Sequence, residues 1–390
     1  MKTEFVATTS PKVELLAQAT KLAELSFSDK RIVNDVLLYF KTPSSSEIYL
    51  FCLIKNSKVI AMACGMKTTI RFSLQQEKVI FGISLGAVCV DLKERNRGMG
   101  RELLDNISYF SKQESIDVIY LQGIPGFYEK LNFENILNQS KIVVDLRKFE
   151  TNEKVSIRDF ESSNLRELVE IHDEMAEAYL FAGPRSYERW KFLTTDGKLS
   201  RLFYNPFIVE VDGIKAYFTT DPIERGRVRE YAHLNYSKSA EALLAGLKYY
   251  QLSNNLLNVE IMAHRDSKIF SLISKSTNMT FIEHARVGEG LLGKLVDELQ
   301  FFENVMNRKI IKVLLSEHFL TQVEFKIEGN KFYVFTEEEN VDIGFIPLER
   351  FLGTIFGRFN LEGLSSSIVP QQTVSISKTA PAFCMQGDSL

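Results

Sequence analysis

The segment Val88–Arg101, with the sequence VCVDLKERNRGMGR, joins a predicted apolar strand to a predicted helix. The strand covers Val79–Val90, and the helix runs from Gly98 to about Gln113. The first N–H groups of a helix have no partner within it, and the helix dipole adds partial positive charge there. Gly98 and Gly100 lack a Cβ, so a phosphate can approach the backbone closely. The segment therefore predicts an anion-binding loop.

Three arginines strengthen this prediction because they add positive charge to the loop: Arg95, Arg97 and Arg101. The motif R-x-x-G-x-G alone is a weak signal, and its alternative is a basic loop on a protein that binds no nucleotide. A strand before it and a helix after it favour the anion site. The loop is neither a Rossmann nor a Walker loop, because G-x-G-x-x-G and G-K-[ST] are both missing.

A second motif, LQGIPGFYEKLNF over Leu121–Phe133, follows the next predicted strand, Val118–Gln122. A strand, a helix and a strand at this spacing form a βαβ unit, so the two strands are parallel. Tyr128 is then expected to face the gap between the strand ends. The alternative is a core aromatic packed with Phe127 and Phe133. The occurrence of both motifs at this separation favours the first interpretation.

Together the motifs resemble the GCN5-related N-acetyltransferase (GNAT) superfamily over roughly residues 10–150. The resemblance implies acetyl-CoA as co-substrate, with Tyr128 as the general acid that protonates the leaving thiolate. It also implies that the Val90 N–H holds the developing oxyanion. The sequence departs from the family pattern at Asn132, where many members have glycine, although Asn tolerates left-handed backbone. The resemblance assigns cofactor binding to Val88, Cys89, Val90, Arg95, Asn96, Arg97, Gly98, Met99, Gly100, Arg101, Gly123 and Ile124.

The order of predicted elements indicates an α/β (α+β) protein with two tandem GNAT folds, each with a mixed sheet, and a third α/β domain. The predicted ranges are 1–150 for the catalytic domain, 151–287 for a GNAT-like domain without the loop, and 288–390. A helix over Leu291–Val305 is expected to open the third domain. Four strands are expected to follow, over Ile310–Leu315, Val323–Ile327, Phe332–Thr336 and Val341–Phe345, and then a helix over Leu348–Phe356 and an irregular tail.

This plan resembles the Eis (enhanced intracellular survival) family, whose third domain is similar to sterol carrier proteins. Val341–Phe345, leading into Phe351–Gly353, fits such a domain. The resemblance implies a homohexamer that acetylates a small polyamine, an aminoglycoside-like molecule or lysine. It implies that the carboxylate of Leu390 is the base, and that Phe27 and Asp29 line the amine pocket. The alternative for Asp29 is that it caps a turn.

The composition of the chain bears on nucleic-acid, membrane and metal binding. The 390 residues carry a net charge of −3, which gives no reason to expect nucleic-acid binding. No apolar run is long enough to span a membrane, so a cytoplasmic protein without a membrane partner is expected. The four cysteines form no C-x-x-C pair, so no metal is expected. Two rival functions remain: a non-catalytic module that binds acyl-CoA or lipid, and acetylation of protein lysines.

Overall fold

Two seven-stranded mixed sheets and one three-stranded antiparallel sheet make up the strands of the described residues. The structure is a computed structural model. It describes residues 2–40, 48–71, 79–124, 126–137, 140–150, 155–176, 185–196, 205–221, 224–233, 237–263, 267–276, 279–283, 291–296, 323–328, 331–336 and 342–347. The predicted α/β class with two mixed sheets is confirmed.

The first sheet contains the elements predicted around the two motifs. In chain order this unit has β1 (Glu4–Thr8), α1 (Val13–Ser26), α2 (Lys30–Tyr39), β2 (Ile48–Lys55), β3 (Lys58–Arg71), β4 (Val79–Val90), α3 (Met99–Gln113), β5 (Val118–Leu121) and β6 (Glu134–Leu137). The sequence pattern does not predict β1, α2 or β6. The β2–β3 hairpin turns at Asn56 (φ 51°) and Ser57 (φ 60°), whose left-handed backbone suits the twist of the paired strands.

The second sheet repeats this order. Its unit has β7 (Ser140–Val144), β8 (Ser156–Asp159), α4 (Leu165–Ala176), α5 (Tyr187–Lys191), β9 (Asn205–Val211), β10 (Ile214–Thr220), β11 (Arg227–His233), α6 (Ser237–Ser253), β12 (Val259–Met262), α7 (Lys268–Ser276) and β13 (Met279–Glu283). The sequence Asp212-Gly213 is a strong hairpin signal, and β9 and β10 pair across it, with φ angles of 49° and 78° at these two residues. The sheet order is β13-β7-β12-β11-β10-β9-β8.

One strand of the first sheet comes from beyond the second unit. Strand β14 (Leu291–Leu295) runs antiparallel to β5 on one side and to β6 on the other. The prediction of a helix over Leu291–Val305 is therefore wrong for these residues. Leucines at 291, 292 and 295 fit a helical period, but such short apolar runs are ambiguous, and pairing within the sheet decides.

The strand pairing crosses the predicted domain ranges in both directions. β14 completes the first sheet, in the order β1-β2-β3-β4-β5-β14-β6, while β7 lies between β12 and β13 of the second sheet. The ranges 1–150, 151–287 and 288–390 remain predictions. Each sheet nevertheless depends on a strand from across one of these boundaries.

The third sheet consists of β15 (Val323–Glu328), β16 (Lys331–Thr336) and β17 (Asp342–Pro347), in antiparallel order. These agree with three of the four strands predicted in this segment. The fourth predicted strand, Ile310–Leu315, the predicted helix Leu348–Phe356 and the tail with Leu390 lie outside the described residues.

A continuous hydrophobic core joins the first unit to the second. Ala19 and Leu22 of α1 and Val36 of α2 belong to the same cluster of buried side chains as Trp190 and Leu243 of the second unit. Cys89 of β4 belongs to it as well. The first sheet therefore presents the face that carries Cys89 to the α1–α2 pair and this shared core.

Candidate active site

The strands β4 and β5 separate at one edge of the first sheet. They pair in parallel over four residue pairs, the last of which joins Leu85 to Leu121. β5 ends at Leu121, whereas β4 continues along β3 to Val90. A cleft therefore opens beside Gly86–Val90, which is the part of the strand that the sequence predicts for the cofactor.

A β-bulge accounts for this separation. Ala63 of β3 lies opposite two residues of β4, because Met62 pairs with Cys89 while Cys64 pairs with Gly86. Ala87, inside the bulge, has a φ angle of 51°. Left-handed backbone is uncommon for a residue other than glycine and is concentrated at functional sites. Because a bulge bends its strand and interrupts regular pairing, β4 turns away from β5 here.

The backbone of Val90 faces the cleft. The N–H of Asp91 donates to the Ile60 carbonyl of β3 at 2.8 Å. Backbone groups of successive strand residues point to opposite sides, so the N–H and C=O of Val90 point away from β3. From the side away from β3, Arg95 Nε donates a hydrogen bond of 3.2 Å to the Val90 carbonyl. The Val90 N–H is therefore oriented as the predicted oxyanion donor requires.

The helix α3 begins after the loop Asp91–Gly98 with an uncapped N-terminus. Its N-cap residue is Gly98, whose φ angle is 83° and which supplies no capping side chain. Asn96 also adopts left-handed backbone, with a φ angle of 59°. Since no N-cap side chain occupies the N–H groups of the first turn, they are available to donate hydrogen bonds to an anion. The local geometry agrees with the predicted phosphate site.

The acidic residues of the loop are paired with lysines of the β2–β3 hairpin. Lys55 Nζ lies 3.0 Å from the carboxylate of Glu94. Lys58 binds Asp91, and the hydrogen bond from its ammonium group holds the pKa of Asp91 below its ordinary value. Because the two carboxylates are already paired with lysines, their negative charge cancels less of the positive charge of Arg95, which is exposed.

The two glycines of the motif are needed for different reasons. A Cβ at Gly98 would have no neighbour within 4 Å, so a side chain would fit there. Glycine is favoured at this position because of its left-handed backbone. A Cβ on Gly100 would lie 3.1 Å from Cζ of Phe127. The space over Gly100 thus holds an aromatic ring from the second motif, a contact that the sequence does not predict.

Tyr128 follows the end of β5, packs against Gly123 and is buried, with 7% of its surface exposed. Its ring lies edge-to-face with Phe127 and with Phe133, at centroid distances of 4.9 and 5.7 Å. Burial raises the pKa of Tyr128 to about 12, and the proximity of Cys89 adds to the effect. The hydroxyl is therefore protonated at neutral pH and able to donate a proton. The two interpretations of Tyr128, as a packed aromatic and as a donor, are compatible.

The Cys89 thiol of β4 is buried and is a poor nucleophile. Burial raises its pKa to about 12, and smaller opposing effects come from a hydrogen bond with Ser26 and from the charge of Arg95. Cys52 and Cys64 are also buried free thiols, and burial raises the pKa of each. A thiol that stays protonated does not attack a thioester efficiently. The site therefore favours direct transfer over an acyl-cysteine intermediate.

Phe27 and Asp29 occupy the junction between α1 and α2. Phe27 follows α1 and packs, partly buried, against the shared core. Asp29 is the N-cap of α2, where it accepts from the Arg31 N–H at 2.9 Å and pairs with the Arg31 guanidinium, also at 2.9 Å. These contacts match the capping alternative for Asp29. Its role in amine binding remains a prediction.

The other predicted residues follow the same edge. Gly123 lies two positions beyond the end of β5, and Ile124 is 75% exposed beside it. Asn96, Arg97, Met99 and Arg101 lie in the loop and first turn of α3. Leu390 lies outside the described residues. The structure thus brings the predicted cofactor residues together along the ends of β4 and β5.

The second unit has a shorter connection at the position that corresponds to the predicted cofactor loop. β11 pairs in parallel with β12 only at Arg227 and Val228 and continues to His233. Three residues, 234–236, then separate it from α6, compared with the eight residues Asp91–Gly98 of the first unit. This agrees with the sequence, in which no glycine-rich loop follows this strand.

A buried ion pair that the sequence does not predict lies in the second unit. Arg185 donates to Glu230 through two bonds of 2.8 and 2.6 Å, and the Tyr217 hydroxyl donates to Glu230 at 2.7 Å. Burial alone would raise the pKa of Glu230, but the Arg185 guanidinium holds it below its ordinary value. The pair satisfies charges inside the protein, which is the condition for burying them.

No protein-family model matches this chain. None of the curated protein sequences matches it. Solved structures do. Eis1 from Mycobacterium abscessus aligns over 98% of this chain and 98% of its own, with a TM-score of 0.61 and 10% identity. The described residues have a tandem GNAT fold.

Two further solved structures carry the name GCN5-related N-acetyltransferase. The protein from Kribbella flavida has a TM-score of 0.59 and 11% identity, over 87% of this chain and 83% of that one. The protein from Anabaena variabilis ATCC 29413 has a TM-score of 0.58 and 12% identity, over 88% and 85%. At such low identity the similarity concerns the fold, and activity has to be argued from the site.

Among the described residues, no helix combines the length and apolar composition that a membrane span needs. No group of three or more His, Cys, Asp or Glu side chains among them is arranged to hold a metal ion.

Proposed function

We propose that this chain is an acetyl-CoA-dependent N-acetyltransferase. The observation that carries the proposal is the separation of β4 from β5, with the N-terminus of α3 beside it and free of an N-cap side chain. Tyr128, placed just beyond the end of β5 with its pKa raised by burial, supports the same function. The fold supports it, since Eis1 and GCN5-related N-acetyltransferases are similar in structure. Acetyl-CoA is the proposed co-substrate. No metal takes part in the proposed chemistry.

Each group of residues in the cleft has a different role in the proposed reaction. The loop Asp91–Gly98 and the first turn of α3 bind the pyrophosphate, and the β4 backbone at Val88–Val90 binds the pantetheine amides. The Val90 N–H donates to the thioester oxygen as negative charge develops on it. The amine nitrogen forms a bond to the acetyl carbon, the carbon–sulfur bond breaks, and Tyr128 gives its proton to the leaving sulfur.

The amine also needs a base, and the usual one is missing from this part of the chain. No histidine precedes His172, and an alkyl ammonium has a pKa near 10.4. The carboxylate of Leu390 is the proposed acceptor, by the resemblance to the Eis family. In water a terminal carboxylate is a weak base with a pKa of roughly 3.3–3.7. Burial without a cationic partner would raise its pKa and make it more effective.

A thiol-release assay tests the function directly. Purified full-length protein is mixed with acetyl-CoA and with an aminoglycoside, a polyamine or a lysine peptide, and free CoA is measured over time. Release that depends on the amine supports the enzyme. Binding of acetyl-CoA without release for any amine supports the rival acyl-CoA-binding module. Competition between the lysine peptide and the aminoglycoside separates the two substrate classes, and light scattering tests the proposed homohexamer.

Arg95→Ala should weaken acetyl-CoA binding on the order of 10- to 100-fold. The arginine is exposed at the mouth of the cleft, and bonds to a charged group contribute about 1.5–3 kcal/mol each. Titration calorimetry measures the change. Arg166→Ala, which removes the same charge from a side chain of α4 that is 90% exposed, is the control and should bind normally. Equal affinities for the two variants would remove the loop from the cofactor site.

Deleting Asp388–Leu390 should reduce amine acetylation while acetyl-CoA binding persists. The deletion removes the proposed base but none of the residues assigned to the cofactor. Adding a short tag after Leu390 should act in the same direction, because it replaces the carboxylate by an amide. Turnover and calorimetric affinity are measured for both proteins. Full turnover after the deletion would eliminate the carboxylate of Leu390 as the base.

A further inference from the structure

Gly123 lies at a position where no side chain fits. A Cβ placed on it would lie 2.2 Å from Cε2 and 2.4 Å from Cδ2 of Tyr128, and 2.7 Å from Cδ1 of Leu121. Contacts below about 3 Å are far inside the van der Waals separation of two carbon atoms. The φ angle of Gly123 is not positive, in contrast to Gly98 and Gly126. The residue is therefore needed for the space that it leaves and not for its backbone conformation.

The ring of Tyr128 cannot retreat easily from Gly123. Phe127 and Phe133 contact it edge-to-face, at interplanar angles of 83° and 70°. The Tyr128 carbonyl accepts from the N–H groups of Leu131, at 2.8 Å, and of Phe133, at 3.2 Å. The position of the Tyr128 ring is thus fixed jointly by its aromatic neighbours, by a closed backbone turn and by Gly123. A methyl group at position 123 would have to displace the ring, because packed interiors leave little free volume.

We infer that Gly123 is a positioning residue that sets the place of the Tyr128 hydroxyl in the cleft. The inference rests on the proposed function, in which Tyr128 is the general acid. It gives Gly123 a role that acts through Tyr128, in addition to any backbone contact with the co-substrate. Proton transfer requires the donor within hydrogen-bond reach of the sulfur, so a displaced hydroxyl loses much of its effect.

The test uses five full-length variants: Gly123→Ala, Tyr128→Phe, Gly65→Ala and the two double variants that combine each alanine with Tyr128→Phe. Gly65 on β3 is a matched control, because a Cβ there would lie 2.5 Å from Cε2 of Phe51 and 2.8 Å from Cδ1 of Ile83, and neither atom belongs to Tyr128. Both alanines should lower the unfolding temperature, because both overpack the core. Only Gly123→Ala should affect the hydroxyl of Tyr128.

Turnover gives the first readout. Gly123→Ala should lower the turnover number at least about 10-fold in the wild-type background and add almost nothing in the Tyr128→Phe background, since coupled residues are not additive. Gly65→Ala should leave the ratio of turnover between the Tyr and Phe proteins unchanged. An equal loss from Gly123→Ala in both backgrounds, or no loss at all, would overturn the inference.

Fluorine NMR gives a second readout that does not need activity. The protein is labelled with fluorotyrosine, and the Tyr128 resonance is identified by its disappearance in Tyr128→Phe. This resonance should move in Gly123→Ala and stay in place in Gly65→Ala. An unmoved resonance in Gly123→Ala contradicts the positioning role. A moved resonance in a protein that acetylates no amine supports the positioning role and rejects the proposed function, so the two failures are distinguishable.

Discussion

Tyr128→Phe should lower the turnover number about 10²–10⁴-fold while the dissociation constant of acetyl-CoA changes little. The substitution keeps the ring that packs between Phe127 and Phe133 and removes only the hydroxyl. Because the hydroxyl acts on the leaving sulfur, its loss affects the transition state and not ground-state binding. Single-turnover kinetics and calorimetry measure the two quantities. The control is Tyr109→Phe, which removes a hydroxyl from a side chain of α3 that is 66% exposed.

The pH profile adds a check on this assignment. Burial raises the pKa of Tyr128 to about 12, so the protonated donor is fully present below that value and is lost only above it. The rate should therefore rise with pH as the amine loses its proton, without a fall from Tyr128 up to about pH 10. Tyr128→Phe should lower the whole profile and keep its shape. Near-normal turnover in this variant, with chemistry rate-limiting, would make Tyr128 a structural residue.

The elements beside the cleft could be predicted from the sequence because their signals are local. The apolar strand that ends at Val90, the glycine loop and the amphipathic helix that follows are adjacent in the chain. The bulge at Ala87 has no such signal, since alanine gives no indication of left-handed backbone. The direction in which β4 leaves β5 is therefore visible only in the structure.

Contacts between distant segments could not be predicted in the same way. The ring of Phe127 covers Gly100, and the ring of Tyr128 covers Gly123, although the sequence suggests for these glycines only an approach by phosphate or cofactor. Asp29 is different, because an aspartate just before a helix is a recognisable N-cap. The capping alternative for Asp29 follows from that signal, but the helix α2 that it caps is not among the predicted elements. The sequence therefore predicts which residues lie near the cleft, whereas the contacts that fix their side chains are visible only in the structure.

β14 lies in the first sheet and β7 lies in the second, and this exchange of strands leads to the prediction with the largest effect on folding. In a protein limited to residues 1–150, β5 and β6 lose β14, and β7 loses β12 and β13. Leu292 and Leu295 are 0% and 6% exposed, and burying one leucine contributes about 1.5–3 kcal/mol. The loss of these two side chains alone is comparable to the lower end of the total stability of a domain, about 5 kcal/mol. The exposed strand edges would also favour aggregation.

Residues 1–150 should therefore neither unfold cooperatively nor bind acetyl-CoA, whereas residues 1–296 should do both. The longer protein is the matched control, because it retains β14 and both seven-stranded sheets. Near-UV circular dichroism during heating and calorimetric titration measure the two properties. Leu292 belongs to the same buried cluster as Tyr128 and Phe133, so the loss of β14 reaches the cleft directly. Equal affinity of the two proteins for acetyl-CoA would show that the first 150 residues form the cofactor site without the exchanged strand.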